Sequence, residues 1–204
     1  NKYGMELIGW WVYGQESFAS GKPIEKVADF KDWKFRSPPG METKIFEKFG
    51  ASPIVMDFTE IFTALETGII DGADASGLAN NVGLGLYDIV GYANFPGFHS
   101  MPSDHLACNK EVFDAMPVAH QTIMKVAMEA LALRTALTFE KKNAEAAAML
   151  REKGVVLSQW APEELQKFRN AAQATWPEFA DTPEAKALVE AHLAYLSQLG
   201  LVSN

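Results

Sequence analysis

The sequence predicts an α/β fold with a largely parallel sheet followed by a helical C-terminal region. Three observations carry this expectation. Short apolar, β-branched and aromatic runs alternate with helical patterns through the first half of the chain, which is the signature of β-α-β units. Gly and Pro separate these runs where one element must stop and the next begin. Beyond Glu111 the apolar spacing is helical throughout.

The first strand is expected in MELIGWWVYG, residues 5–14, closed by Gly14. If Trp10 and Trp11 lie on one strand they face opposite ways, so one of them approaches a surface or a cleft. A loop carrying Gln15 and a polar stretch to Asp32 follow, and then WKFRS forms a short strand that Pro38, Pro39 and Gly40 end as a turn. Lys34 and Arg36 share one side of that strand and Phe35 the other. METKIFEKFG places Met41, Ile45 and Phe49 at helical spacing, with Gly50 as the stop.

SPIVMD reads as the next strand. Asp57, with Glu60 three residues on, is an aspartate version of the capping box for a helix ending at Gly68. IIDGADA is expected as a short strand leaving through Gly72, followed by a helix over residues 76–86. Two further strands are expected in IVGYANFPGFHS and SDHLACN. A single uninterrupted helix then spans residues 117–153, with Ile123, Val126, Ala130, Leu133 and Leu137 as its apolar stripe. Two more helices, over residues 162–175 and 183–199, complete the chain. The expected division is an α/β lobe over residues 1–116 and a helical region over 117–204.

With 204 residues, 48% of them hydrophobic, the chain can bury a substantial core, and a soluble globular protein is expected. A net charge of −8 argues against nucleic acid as a partner, because phosphates need clustered Lys and Arg. An anion site on this chain is therefore local. Cys108 is the single cysteine, so no internal disulfide forms, and no Cys/His cluster has zinc spacing. No apolar run reaches the roughly 18–20 residues that span a bilayer.

Histidines stand at 99, 105, 120 and 192, with no H-E-x-x-H pair, G-x-S-x-G elbow or phosphate loop. GLGLYD contains a G-x-G but follows a helical pattern, and reads as a helix end. Arg36 is more informative. In a parallel α/β sheet ligands sit beyond the carboxyl ends of the strands, where its planar fork would match a carboxylate; the alternative is a solvated surface charge. Asp74 leaves another strand and is open to the same two readings, ligand contact or helix cap. The long helix is either a scaffold within one domain or a brace between domains or subunits.

KFRSPPG followed by FGASPIVMDFTEIFTALETGIIDGAD resembles the signature region of the solute-binding proteins of TRAP (tripartite ATP-independent periplasmic) transporters, with Glu60, Ala64, Leu65, Gly68, Asp71 and Gly72 at the family positions. The resemblance implies a two-lobed type II-like periplasmic binding protein of a Gram-negative bacterium, which is not an enzyme. Such a protein would capture a small organic carboxylate and deliver it to the membrane permease subunits. It further implies that Arg36 pairs with the carboxylate and that the 117–153 helix is the family brace. The family's N-terminal lobe is not matched, so the chain corresponds to the second lobe with its bracing helices.

GQESFASGKPI and DGADASG resemble the α-keto-acid-binding branch, whose ligands are 2-oxo or 2-hydroxy acids. There the resemblance implies that Gln15, Asp74 and the carbonyl of Ala75 hold a hard cation, Na⁺ or Ca²⁺, that bridges the solute. Ala75 departs from the tryptophan frequent in that branch. His99, in FPGFHS, is a candidate hydrogen-bond donor to the ligand or a surface histidine. The same branch implies a route to a homodimer through exchanged C-terminal helices. A competing expectation from another class is an enzyme acting on such an acid, and no nucleophile-base pair or cofactor motif supports it.

Overall fold

The computed structural model describes residues 3–202. The chain folds into two compact units, each assembled from two separate stretches. The first comprises residues up to Pro23 with Asp74–Gln159, and the second Ile24–Ala73 with the residues from Trp160 onward. This differs from the division at residues 116 and 117. The helical half is not a body of its own: residues 117–159 group with the first unit and those from Trp160 onward with the second.

In the first unit, strand β1 (Met5–Val12) pairs antiparallel with β7 (Ser103–Asn109), with a bulge between Leu7 and Gly9. Ile8 is buried with Phe113 and Met128, and Trp11 packs against that cluster. Its neighbour Trp10 is 62% exposed, so the strand alternation does turn the two indoles apart. Helix α5 (Val118–Glu152) crosses β1 closely enough that a Cβ on Gly9 would lie 2.7 Å from Cβ of Met128. Pro117 caps this helix rather than beginning it. At about 1.5 Å per residue the helix is about 50 Å long.

The same unit holds β2 (Glu16–Ser20), most of β5 (Gly72–Gly77), β6 (Tyr92–Asn94) and β8 (Val156–Ser158), in the order β5-β2-β6-β8. Strand β6 is antiparallel to β2 and parallel to β8. Strands β2 and β8 are absent from the sequence expectation, because neither has alternation or an apolar run long enough to mark it. IIDGADA is also displaced: the strand starts at Gly72, where it was expected to leave, and residues 76 and 77 belong to it. Helix α3 (Leu78–Gly83) is correspondingly shorter than the expected 76–86, and Gly85, at φ 72°, separates it from a 3₁₀ turn at Leu86–Asp88. The Ala79 N–H donates to Oδ1 of Asn143 at 2.9 Å, which fixes α3 on α5. A short α4 (Lys110–Asp114) is capped by the side chain of Asn109.

In the second unit, β3 (Lys34–Ser37) lies between β4 (Ser52–Val55) and the first residues of β5, all parallel. Around them stand α1 (Met41–Glu47), α2 (Ile61–Glu66), α6 (Pro162–Thr175) and α7 (Pro183–Gln198). The expected capping box is formed: Asp57 accepts from the Thr59 N–H, and Glu60 accepts from the Asp57 N–H. The core is aromatic. Phe30 touches Trp33, Phe46, Trp160 and Phe168 with centroids 5.0–6.1 Å apart. Each such buried side chain contributes about 1.5–3 kcal/mol. The one polar group of Trp160 is satisfied, its Nε1–H donating to the carbonyl of Ile24 at 2.7 Å.

Candidate functional site

Arg36 belongs to the second unit. On β3 the alternation holds: Phe35 is fully buried and stacks on Trp33 at 4.3 Å, while Lys34 and Arg36 point to the other side. The two cations nevertheless differ. Lys34 is exposed at the start of the strand and Arg36, near its carboxyl end, is 7% exposed. Arg36 is therefore not a solvated surface charge. Its Nε donates a long bond of 3.4 Å to the carbonyl of Met56, and its guanidinium carbon stands 5.1 Å from the centroid of the Phe58 ring. A cation against an aromatic face is held without losing its donors.

The turn that follows is fixed from inside. Oγ1 of Thr43 donates to the Pro38 carbonyl at 2.9 Å and lies 3.1 Å from Oγ of Ser37, and Gly40 takes φ 116°. Beside this strand end, the hydroxyl and N–H of Thr59 hold the Asp57 carboxyl below its ordinary range, and the Arg36 charge acts in the same direction.

The first unit contains Asp74, Ala75, His99 and Gln15, and of these it brings Asp74 and His99 together. Asp74 and Ala75 sit inside β5, 1% and 7% exposed, so Asp74 is not a helix cap. Its Oδ1 lies 2.9 Å from Nε2 of His99. The His99 side chain has no solvent exposure, which removes the surface-histidine alternative. Its ring is stacked on Phe18, with centroids 4.5 Å apart and an interplanar angle of 17°.

Gln15 is exposed in the loop before β2, one residue from a group the sequence reading overlooked. Glu16 begins β2 and is 8% exposed, and its Oε2 lies 3.7 Å from the same Nε2 of His99. The Ser100 hydroxyl donates to that carboxylate oxygen, and the Glu16 N–H donates to the Ser100 carbonyl at 3.1 Å. All five residues of β2 are buried, and an acidic residue in a buried strand is a strong signal. That signal is invisible until ESFAS is known to be a strand. The carboxylates of Glu16 and Asp74 and a ring nitrogen of His99 lie within 4.8 Å of one another. Chemically they offer two oxygen donors and one nitrogen donor at a buried point.

Among the described residues no helix is long and apolar enough to cross a membrane. The chain is similar to the sialic acid-binding periplasmic protein SiaP of Vibrio cholerae, at 24% identity over 180 residues covering 87% of this chain and 54% of that protein. It is also similar to the monocarboxylate 2-oxoacid-binding periplasmic protein of Nostoc sp., at 26% identity over 198 residues, 96% of this chain and 52% of that protein. The chain thus spans about half the length of these relatives. A crystal structure of a TRAP periplasmic solute-binding protein from Rhodobacter sphaeroides, in an apo open form, superimposes with a TM-score of 0.79 and 32% identity, covering all of this chain and 65% of the other. The model of the DctP family, bacterial extracellular solute-binding protein family 7, matches residues 1–182, and the chain belongs to that family.

Proposed function

We propose that the chain is part of the periplasmic solute-binding component of a TRAP transporter in a Gram-negative bacterium, and that it captures a small monocarboxylate with an oxo or hydroxy group beside the carboxylate. The observation that carries this reading is Arg36: a buried guanidinium near the carboxyl end of a parallel strand, braced by the Met56 carbonyl and the Phe58 ring. A guanidinium pairs with a carboxylate through two parallel hydrogen bonds, which fixes orientation as well as affinity. The name of the Nostoc relative, a 2-oxoacid-binding protein, supports the ligand class. The relatives described are binding proteins, and the reading is of capture and release to the permease, not of turnover.

Asp74, with the Ala75 carbonyl and Gln15, supplies oxygen donors for a cation that would bridge the carboxylate and its neighbouring oxygen. Na⁺ and Ca²⁺ are the hard ions such donors take.

The test is a thermal-shift and calorimetry screen of the complete protein against 2-oxo acids, 2-hydroxy acids, dicarboxylates and uncharged isosteres. Stoichiometric binding of an unmodified 2-oxo or 2-hydroxy acid, recovered intact afterwards, is expected. Tight binding of an uncharged isostere, or consumption of the acid, would overturn the reading.

A further inference from the structure

We infer that Glu16, Asp74 and His99 form a site for a borderline divalent cation of the zinc type in the first unit. The inference rests on the solute-binding reading above but revises its cation part, with which it shares only Asp74. Three observations support it. The donor atoms are mutually placed for one ion: Nε2 of His99 is 2.9 Å from Oδ1 of Asp74 and 3.7 Å from Oε2 of Glu16. These separations bracket the roughly 3.3 Å expected between neighbouring ligands around a tetrahedral ion with bonds of about 2.0–2.1 Å.

The donor chemistry is mixed. Na⁺ and Ca²⁺ prefer oxygen alone, whereas an imidazole nitrogen moves preference toward Zn²⁺, Co²⁺ and Ni²⁺.

The groups are also held before any ion arrives. Stacking on Phe18 sets the plane of the His99 ring, so that both carboxylates meet the same nitrogen, and the Ser100 hydroxyl orients Glu16. Supporting contacts of this kind accompany metal-ligating side chains. Oδ1 of Asp74 and Nε2 of His99 stand within hydrogen-bond distance of each other, and a cation between them takes the place of that hydrogen bond.

The experiment uses the complete protein, stripped by chelation and dialysed free of acid, and titrates it with Co²⁺. A visible absorption band saturating at one equivalent, displaced by Zn²⁺ but not by Na⁺ or Ca²⁺, is expected. X-ray absorption on the wild-type Zn²⁺ form should contain one imidazole among the nearest scatterers, a readout independent of any variant's folding. His99→Phe keeps the ring stack and should weaken Co²⁺ binding by more than about a hundredfold, since losing even a supporting partner costs 10- to 100-fold. Absence of the band, equal affinity in His99→Phe, or an all-oxygen shell would overturn the site. Because no acid is present, failure here is separable from failure of Arg36-dependent carboxylate binding.

Discussion

Gly97 is pressed onto the backbone of Glu16: a Cβ built on Gly97 would overlap the Glu16 carbonyl oxygen and lie 2.9 Å from the carbonyl carbon of Gln15. The atoms in the way are backbone, which cannot swing aside as a flexible side chain can. Gly97→Ala should therefore force apart the loop carrying His99 and the start of β2, destabilising the protein by roughly 1–3 kcal/mol. Urea denaturation checks this. An unchanged midpoint would mean that the two segments separate at no cost.

Arg36→Lys should weaken binding of the carboxylate by more than about tenfold in the complete protein, because a point ammonium cannot reproduce the two-pronged pairing. The fold should persist, since the lysine stem still covers part of the Phe58 ring. Calorimetry on the folded variant decides the matter, and an unaltered affinity would make Arg36 a structural cation.

Asp57 gives a pH dependence whose sign is fixed by its hydrogen bonds. Its carboxyl is held below the ordinary value of 3.8, first by the Thr59 hydroxyl and N–H, so the folded state favours the ionised form. That contribution is complete above the unfolded value and is lost as pH falls through the lower folded value. Asp57→Asn keeps a good capping residue without the titration. Its stability should fall less steeply than wild type below about pH 4, measured by thermal melts across the acid range.

Ile123, Val126, Leu133 and Leu137 are 57–64% exposed along α5, and exposed apolar stripes find partners. The 204-residue chain on its own should self-associate through this helix. Sedimentation velocity should find the association reduced in a Leu133→Glu, Leu137→Glu double variant. A wild-type chain that stays monomeric at high concentration would remove the stripe as an association surface.

Much of this protein follows from local sequence because local forces decide it. The 117–153 helix is found at Val118–Glu152, since nothing within it breaks a helix. The Asp57–Glu60 box forms because both partners are three residues apart. Arg36 could be placed on a strand by alternation and singled out by resemblance, yet its burial depends on Met56 and Phe58, which lie some twenty residues away in the chain.

What only the tertiary structure decided is set by pairing across long separations. ESFAS is a strand because β5 and β6 flank it, and its own residues carry no alternation to announce this. Glu16 became a candidate site residue only once the fold brought it to His99, 83 positions later. The helix-cap alternative for Asp74 fell for the same reason, as its hydrogen-bonded neighbours, not its own propensity, extend β5 to Gly77. Alternation, capping and helix length are written in neighbouring residues, whereas the burial of a charge depends on which distant segments the fold lays over it.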